Sequence, residues 1–296
     1  MSTLTLIYGA AGEQGRPVAQ ELLRRGERVR LLLRHPEGAE ALRRQGAEVL
    51  AGDLDDPASL ERANAGVDRV ALVLPLGGDA VGRAERAAQA ARAAGVRRLV
   101  LNTSGPTPAA PTGLPALDAR RALEATVLAA GIPTLILRPT AYLQNLLGLW
   151  TLPELLERGV LAYPLPEHHR VSWLAAEDLG PLTAEALARP EQLGALAVGG
   201  PQALSGPDLA RGLTLALDRP VRYQALTPED FGARLAGVFG PEVGRETTRA
   251  YRLGWDGPVS ALALDMTGVL ARLPVRLTPF AAWLQAQRAA FTLQPA

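Results

Sequence analysis

The chain of 296 residues contains no cysteine and no lysine, and aromatic residues make up only 4% of it. Without thiols there are no disulfides, thiolate nucleophiles or cysteine-based zinc sites. All 31 basic residues are therefore arginine. A guanidinium stays protonated across the accessible pH range, so a Schiff base, a lysine general acid and a Tyr-x-x-x-Lys dyad are also excluded. Long apolar runs are missing too: none approaches the roughly 18 residues of a membrane span. "MSTLTLIYGA" carries neither a basic leader nor a cleavage region, and the expectation is a soluble cytoplasmic protein with no membrane partner. The formal net charge is +1 with no block of like charges, which argues against nucleic acid as a direct ligand. His168 and His169 stand side by side in a proline-rich stretch without an obvious third ligand, so no metal is expected. Redox chemistry in such a chain needs a bound cofactor.

What is present is 48% hydrophobic residues, arranged with a clear rhythm. From Thr3 to Arg138 the runs "TLTLIY", "RVRLLL", "AEVLAG", "DRVALVLP", "RRLVLNTS" and "TLILRP" read as strands. Between them lie helical patterns, such as Val18, Leu22 and Leu23, or the alanine-rich segment from Asp79 to Ala94 closed by Gly95. Parallel strands need crossovers, so the alternation predicts an α/β fold, a Rossmann-type doubly wound parallel sheet. After Arg138 the rhythm breaks. "YLQNLLGLWTLPELLERG" reads as a helical stretch interrupted by Pro153, "ALAVGG" as one more strand, and 206–217, 227–238 and 274–290 as mainly helical. The expected division is a nucleotide-binding domain over 1–150, completed by strands within 171–200, and a smaller, mainly helical lobe over 151–296.

Gly9, Gly12 and Gly15 follow the first strand and open a helix. That is the context of a dinucleotide fingerprint: Gly9 for the tight turn, Gly12 for approach of a pyrophosphate, Gly15 for close helix–strand packing. The helix N-terminus adds unpaired N–H groups and partial positive charge. At the end of the second strand, where an acidic residue would bind a ribose 2′-hydroxyl, the chain has Leu33-Arg34-His35. A guanidinium there suits a 2′-phosphate. NADP(H) is therefore expected, with NAD(H) as the alternative. "GDLDD" places Asp53 and Leu54 at the adenine edge, and Asp55 or Asp56 ahead of Pro57 as a helix cap. Leu74, Pro75 and Leu76 form a turn suited to pass beneath the cofactor ribose.

Taken with "GIPTLILRPTAYLQNL", "VSWLAAEDLG" and "ALAVGGPQALSGPDLA", these motifs resemble the NmrA-like family of atypical short-chain dehydrogenases/reductases. That family includes quinone reductases, triphenylmethane reductases and redox-sensing regulators. The resemblance implies that Glu13 and Gln14 touch the pyrophosphate, and that Asn102, Thr103 and Ser104 face the nicotinamide ribose. It also implies that the loop from Pro139 to Tyr142 lies beside the nicotinamide. Arg120, four residues before Glu124, stands where the family commonly carries a lysine. It can hold a ribose hydroxyl or an oxyanion but cannot readily donate a proton.

The candidate catalytic residues are thus Arg120, Tyr142 and Ser104. Tyr142 is equally suited to packing, and Ser104 to shaping the loop before Gly105-Pro106. Asn145, Leu146, Trp150 and Trp173 are the candidate substrate-facing residues. The expected activity is transfer of hydride from NADPH to a small apolar acceptor such as a quinone or carbonyl compound. The alternative is a non-catalytic NADP(H) sensor with a protein partner. A sugar-nucleotide epimerase needs a base that the sequence does not visibly supply.

Overall fold

Each of the six apolar runs in the first half is a strand in the computed structural model, which describes residues 3–74, 78–258 and 261–291. They are β1 (Leu4–Tyr8), β2 (Arg28–Leu33), β3 (Glu48–Ala51), β4 (Arg69–Val73), β5 (Arg98–Asn102) and β6 (Thr134–Pro139). With the strand Gly194–Val198 they form a seven-stranded parallel sheet, ordered Gly194–Val198, β6, β5, β4, β1, β2, β3. Every residue of β1 and β5 is buried. Strands covered on both faces read as continuous apolar runs, which is why no polar alternation marks them.

The helices between these strands follow from local chemistry. α1 (Arg16–Arg24) buries Val18, Ala19 and Leu22 on one face. α2 (Glu40–Arg44) is a short turn pinned by Leu42. α3 (Pro57–Asn64) is capped by Asp56, whose carboxylate accepts from the N–H groups of Ala58 and Ser59, so Asp56 is the capping member of "GDLDD". α4 (Ala80–Ala93) is capped by Asp79 and buries the alanine row Ala80, Ala84, Ala87, Ala88 and Ala91. α5 (Pro115–Ala129) leads into β6. Aliphatic side chains from β1, β4, β5, α3 and α4 share one core.

Backbone contacts divide the chain into two compact units. The first contains Met1–Pro139, Ala176–Val198 and Thr267–Arg276; the second contains Thr140–Ala175, Gly199–Met266 and Leu277–Ala296. Within the first, Arg98 of β5 is buried, and its guanidinium donates to the carbonyls of Ala186 (2.6 Å) and Gln192 (2.8 Å). It thereby closes the end of the helix Leu179–Ala188.

The second unit has a three-stranded sheet ordered Ala203–Leu204, Val171–Leu174, Ala141–Tyr142, and a two-stranded one pairing Arg222–Ala225 with Val160–Tyr163. Its helices include Gly206–Leu217, Pro228–Phe239 and Pro241–Trp255. Two stretches depart from expectation. Pro153 sits in the first turn of the helix Leu152–Arg158, where its missing N–H costs nothing, so it starts a helix instead of interrupting one. Only Phe280–Ala286 of 274–290 is α-helical, followed by a 3₁₀ turn at Arg288–Phe291. Among the described residues no helix is long and apolar enough to cross a membrane.

Candidate functional site: a cavity above the glycine loop

The sheet order reverses between β1 and β4, and a crevice forms there outside the strands' C-terminal ends. A cavity of about 580 Å³ occupies it in the first unit. Its floor is the glycine loop, with Gly9, Gly12, Glu13, Gln14 and Gly15 all lining it. Arg34 and His35 after β2, Asp53 and Leu54 after β3, and Leu74 after β4 form its walls, joined by Arg83 and Ser104.

The three glycines differ in what they do. Gly9 has φ +78°, and a Cβ there would lie 2.2 Å from the Val73 carbonyl oxygen. A Cβ on Gly15 would lie 2.3 Å from the Gly9 carbonyl oxygen, so the close approach at Gly15 is to the loop's own backbone. Both positions must be glycine for the loop to close. Gly12 is exposed, and a Cβ there would meet only the Gly9 oxygen at 3.4 Å, an ordinary contact. The fold alone does not demand glycine at 12.

At the far side of the loop, Gln14 is braced against the end of β5. Its Oε1 accepts from Asn102 Nδ2 at 3.0 Å and from the Ser104 hydroxyl at 2.7 Å. The Ser104 N–H in turn donates to Asn102 Oδ1 at 2.9 Å. Ser104 has φ +58°, a left-handed conformation costly for a residue with a side chain. The Arg120 guanidinium lies against the next residue, with Nη2 3.1 Å from where a Gly105 Cβ would stand. Gln14, Asn102, Ser104 and Arg120 therefore meet at one strand end.

Electrostatics differ along the cavity. Partial desolvation, and secondarily the neighbouring Glu177 carboxylate, hold the Glu13 carboxyl above the usual carboxylate range. Arg34 is exposed, and among the described residues its side chain has no hydrogen-bond or ion-pair partner. Asp53 uses Oδ1 to accept from the Asp55 N–H at 2.9 Å.

Several expected positions fall elsewhere. Pro75 and Leu76 lie outside the described residues. Asn102, Thr103, Arg120 and Pro139 do not line this cavity. Thr103 is buried, its hydroxyl donating to the carbonyls of Gly105 (2.7 Å) and Leu137 (3.2 Å). In the second unit, Tyr142 is buried. Leu146 and Trp173 belong to that unit's apolar core, and Trp173 donates its indole N–H to the Leu204 carbonyl at 3.3 Å. Both side chains are buried. Asn145 donates to the buried Tyr163 hydroxyl at 3.3 Å, and Trp150 packs against Phe239 with ring centroids 5.9 Å apart. Among the described residues no group of three or more metal-ligating side chains exists. The residue that sequence reasoning passed over is Arg83, because one arginine on a helix face carries no local signal.

This arrangement fits a dinucleotide: a loop closed by two obligatory glycines, an open third, and an uncommitted cation after β2. The NmrA-like family profile matches residues 1–253. The chain belongs to the NmrA-like family. It is similar to the NAD(P)H azoreductase of Xenophilus azovorans, at 33% identity over 241 residues, covering 81% of this chain and 82% of that protein. It is also similar to (4-alkanoyl-5-oxo-2,5-dihydrofuran-3-yl)methyl phosphate reductase of Streptomyces griseus subsp. griseus, at 32% identity, covering 97% and 99% of the two chains. Among solved structures, this NmrA-like fold matches the NADPH complex of the quinone oxidoreductase QOR2 of Escherichia coli. That match has a TM-score of 0.77 at 24% identity and covers 96% of this chain and 99% of that one.

Proposed function

We propose that this NmrA-like protein is an NADPH-dependent oxidoreductase that reduces a small apolar acceptor, such as a quinone or carbonyl compound. The observation that carries the reading is the cavity in which the open Gly12 and the exposed Arg34 share one space. Arg34 presents a planar fork to a 2′-phosphate. Gly12 leaves the backbone open to a pyrophosphate, and the start of α1 supplies its N–H groups and dipole. Gln14, braced by Ser104 and Asn102, fixes the edge of the loop. Arg120, beside Gly105, donates to a ribose hydroxyl or a developing oxyanion.

Bound NADPH supplies the hydride that passes from nicotinamide C4 to the acceptor. Without lysine, the side-chain proton donors this reading offers are the hydroxyls of Tyr142 and Ser104. An electron-poor acceptor makes small demands on them, because its reduced product is a stabilised anion that water protonates. The similarity to proteins named for azo and oxo-dihydrofuran reduction supports a reductase and widens the acceptors worth trying.

The test is a titration of the purified protein with NADPH and NADH, followed by quinones, carbonyls and azo dyes while reduced-nicotinamide absorbance is recorded. Preferential NADPH binding with acceptor-dependent oxidation is the expected result. Tight binding with no oxidation by any acceptor would replace the reductase by an NADP(H) sensor.

A further inference from the structure

Arg83, on the second turn of α4, lines the same cavity as Arg34 and Asp53. Its guanidinium is held by one neighbouring carboxylate. Its Nε and Nη2 form a side-on, two-point contact with the Asp55 carboxylate, at 3.0 and 2.7 Å to Oδ2. Asp55 is fixed in turn: its N–H donates to Asp53 Oδ1 at 2.9 Å, and Arg86 also pairs with its carboxylate. Arg86 reaches on to Asp79 at 3.2 Å. The end of β3 is thereby linked through Asp55 to α4.

Two consequences follow for an anion in the cavity. A guanidinium that gives its Nε/Nη2 edge to one carboxylate still has the Nη1 donors for a second acceptor. Among the described residues, Arg83 Nη1 has no hydrogen-bond partner and lies 3.8 Å from where a Gly78 Cβ would stand. Second, Asp55 and Asp79 would repel a phosphate at this end of the cavity if Arg83 and Arg86 did not offset their charge.

We propose that Arg83, oriented by Asp55, is a second specificity-determining residue, whose Nη1 edge binds the 2′-phosphate of NADP(H) opposite Arg34. The proposal rests on the NADP(H) reading above and adds to it a residue and its support. Arg83 takes the phosphate directly, and Asp55 is a positioning residue that acts through it.

The experiment measures dissociation constants of NADP⁺ and NAD⁺ by calorimetry for the full chain and for Arg83→Met, Asp55→Asn and the double variant. Melting of the ligand-free proteins accompanies each. Arg83→Met is expected to weaken NADP⁺ at least tenfold and NAD⁺ less than twofold, with little change in melting temperature. Asp55→Asn is expected to weaken NADP⁺ by a smaller factor, and the double variant to be as weak as Arg83→Met. Recovery of NADP⁺ affinity in the double variant would mean that Arg83 only masks Asp55, and would overturn direct contact. Equal loss of both nucleotides, or no loss, would also overturn it while leaving the cofactor reading standing. Failure of the unaltered protein to bind either nucleotide would overturn both.

Discussion

Gln14 on the glycine loop accepts a hydrogen bond from the Ser104 hydroxyl at 2.7 Å, joining the turn after β1 to the turn after β5. Ser104 makes this bond from a left-handed backbone, φ +58°. Two substitutions separate the bond from the strain. Ser104→Ala loses the bond and keeps the strain, which costs about 1 kcal/mol. Ser104→Gly loses the bond but relieves the left-handed conformation, and the two effects, each about 1 kcal/mol, roughly cancel. Thermal melts are expected to place Ser104→Gly near the unaltered protein and Ser104→Ala about 2 °C lower. The reverse order would show that the turn is not strained.

Gly12 and Gly9 are expected to respond differently to alanine. Gly12→Ala meets only an ordinary 3.4 Å contact, so it should melt within about 1 °C of the unaltered protein. Its nucleotide affinity should fall at least tenfold, because the new methyl occupies the approach to the loop. Gly9→Ala meets the Val73 carbonyl from a positive φ and should lose about 2–4 kcal/mol of stability. Calorimetry and melting on the same preparations check both. Intact nucleotide binding by folded Gly12→Ala would remove the basis for the fingerprint.

Arg34→Ala should weaken NADPH far more than NADH, about tenfold or more, since a bidentate phosphate contact is lost from one nucleotide only. Fluorescence titration with each nucleotide measures it. Equal losses would refute the 2′-phosphate assignment.

Glu13 supplies a pH dependence. Its carboxyl is raised by partial desolvation and then by Glu177. A raised carboxyl binds its proton more tightly in the folded chain, so its charged form lowers stability above the folded pKa. That penalty disappears as pH falls below the ordinary carboxylate range. Glu13→Gln should therefore melt higher than the unaltered protein at pH 7, and the gap should close toward pH 4. At pH 7 the same variant should bind NADPH about twofold to fivefold more tightly, the scale of an exposed charge interaction. A melting gap independent of pH would assign the effect to packing.

Arg98 tests the architecture away from the cavity. Arg98→Met leaves the carbonyls of Ala186 and Gln192 without their donor. The loss should be about 3 kcal/mol, visible as a melting decrease of about 6–10 °C with nucleotide preference unchanged.

Much of this protein was readable from its residues in order. The doubly wound sheet follows from six apolar runs alternating with helical spacing, because burial on both faces and the need for crossovers act locally on the chain. The tight turn at Gly9 and the position of Arg34 after β2 were readable for the same reason: backbone freedom and the residue following a strand are local properties. The three acidic residues of "GDLDD" left their division of labour open. The structure assigns capping to Asp56 and Asp79 and gives Asp55 to Arg83 and Arg86. The packing of Leu146 and Trp173 was not readable, since an apolar side chain in sequence looks the same whether it faces a ligand or a core.

The sequence by itself determined the strand–helix alternation, the glycine turn between β1 and α1 and the absence of lysine and thiol chemistry. Only the tertiary structure decided that Ala176–Val198 and Thr267–Arg276 join the first unit, that Gln14 meets Ser104 across 90 residues, and that Arg83 enters the cavity. Those contacts depend on how parallel strands stack side by side, and strand order brings distant segments together with no mark in the residues between them.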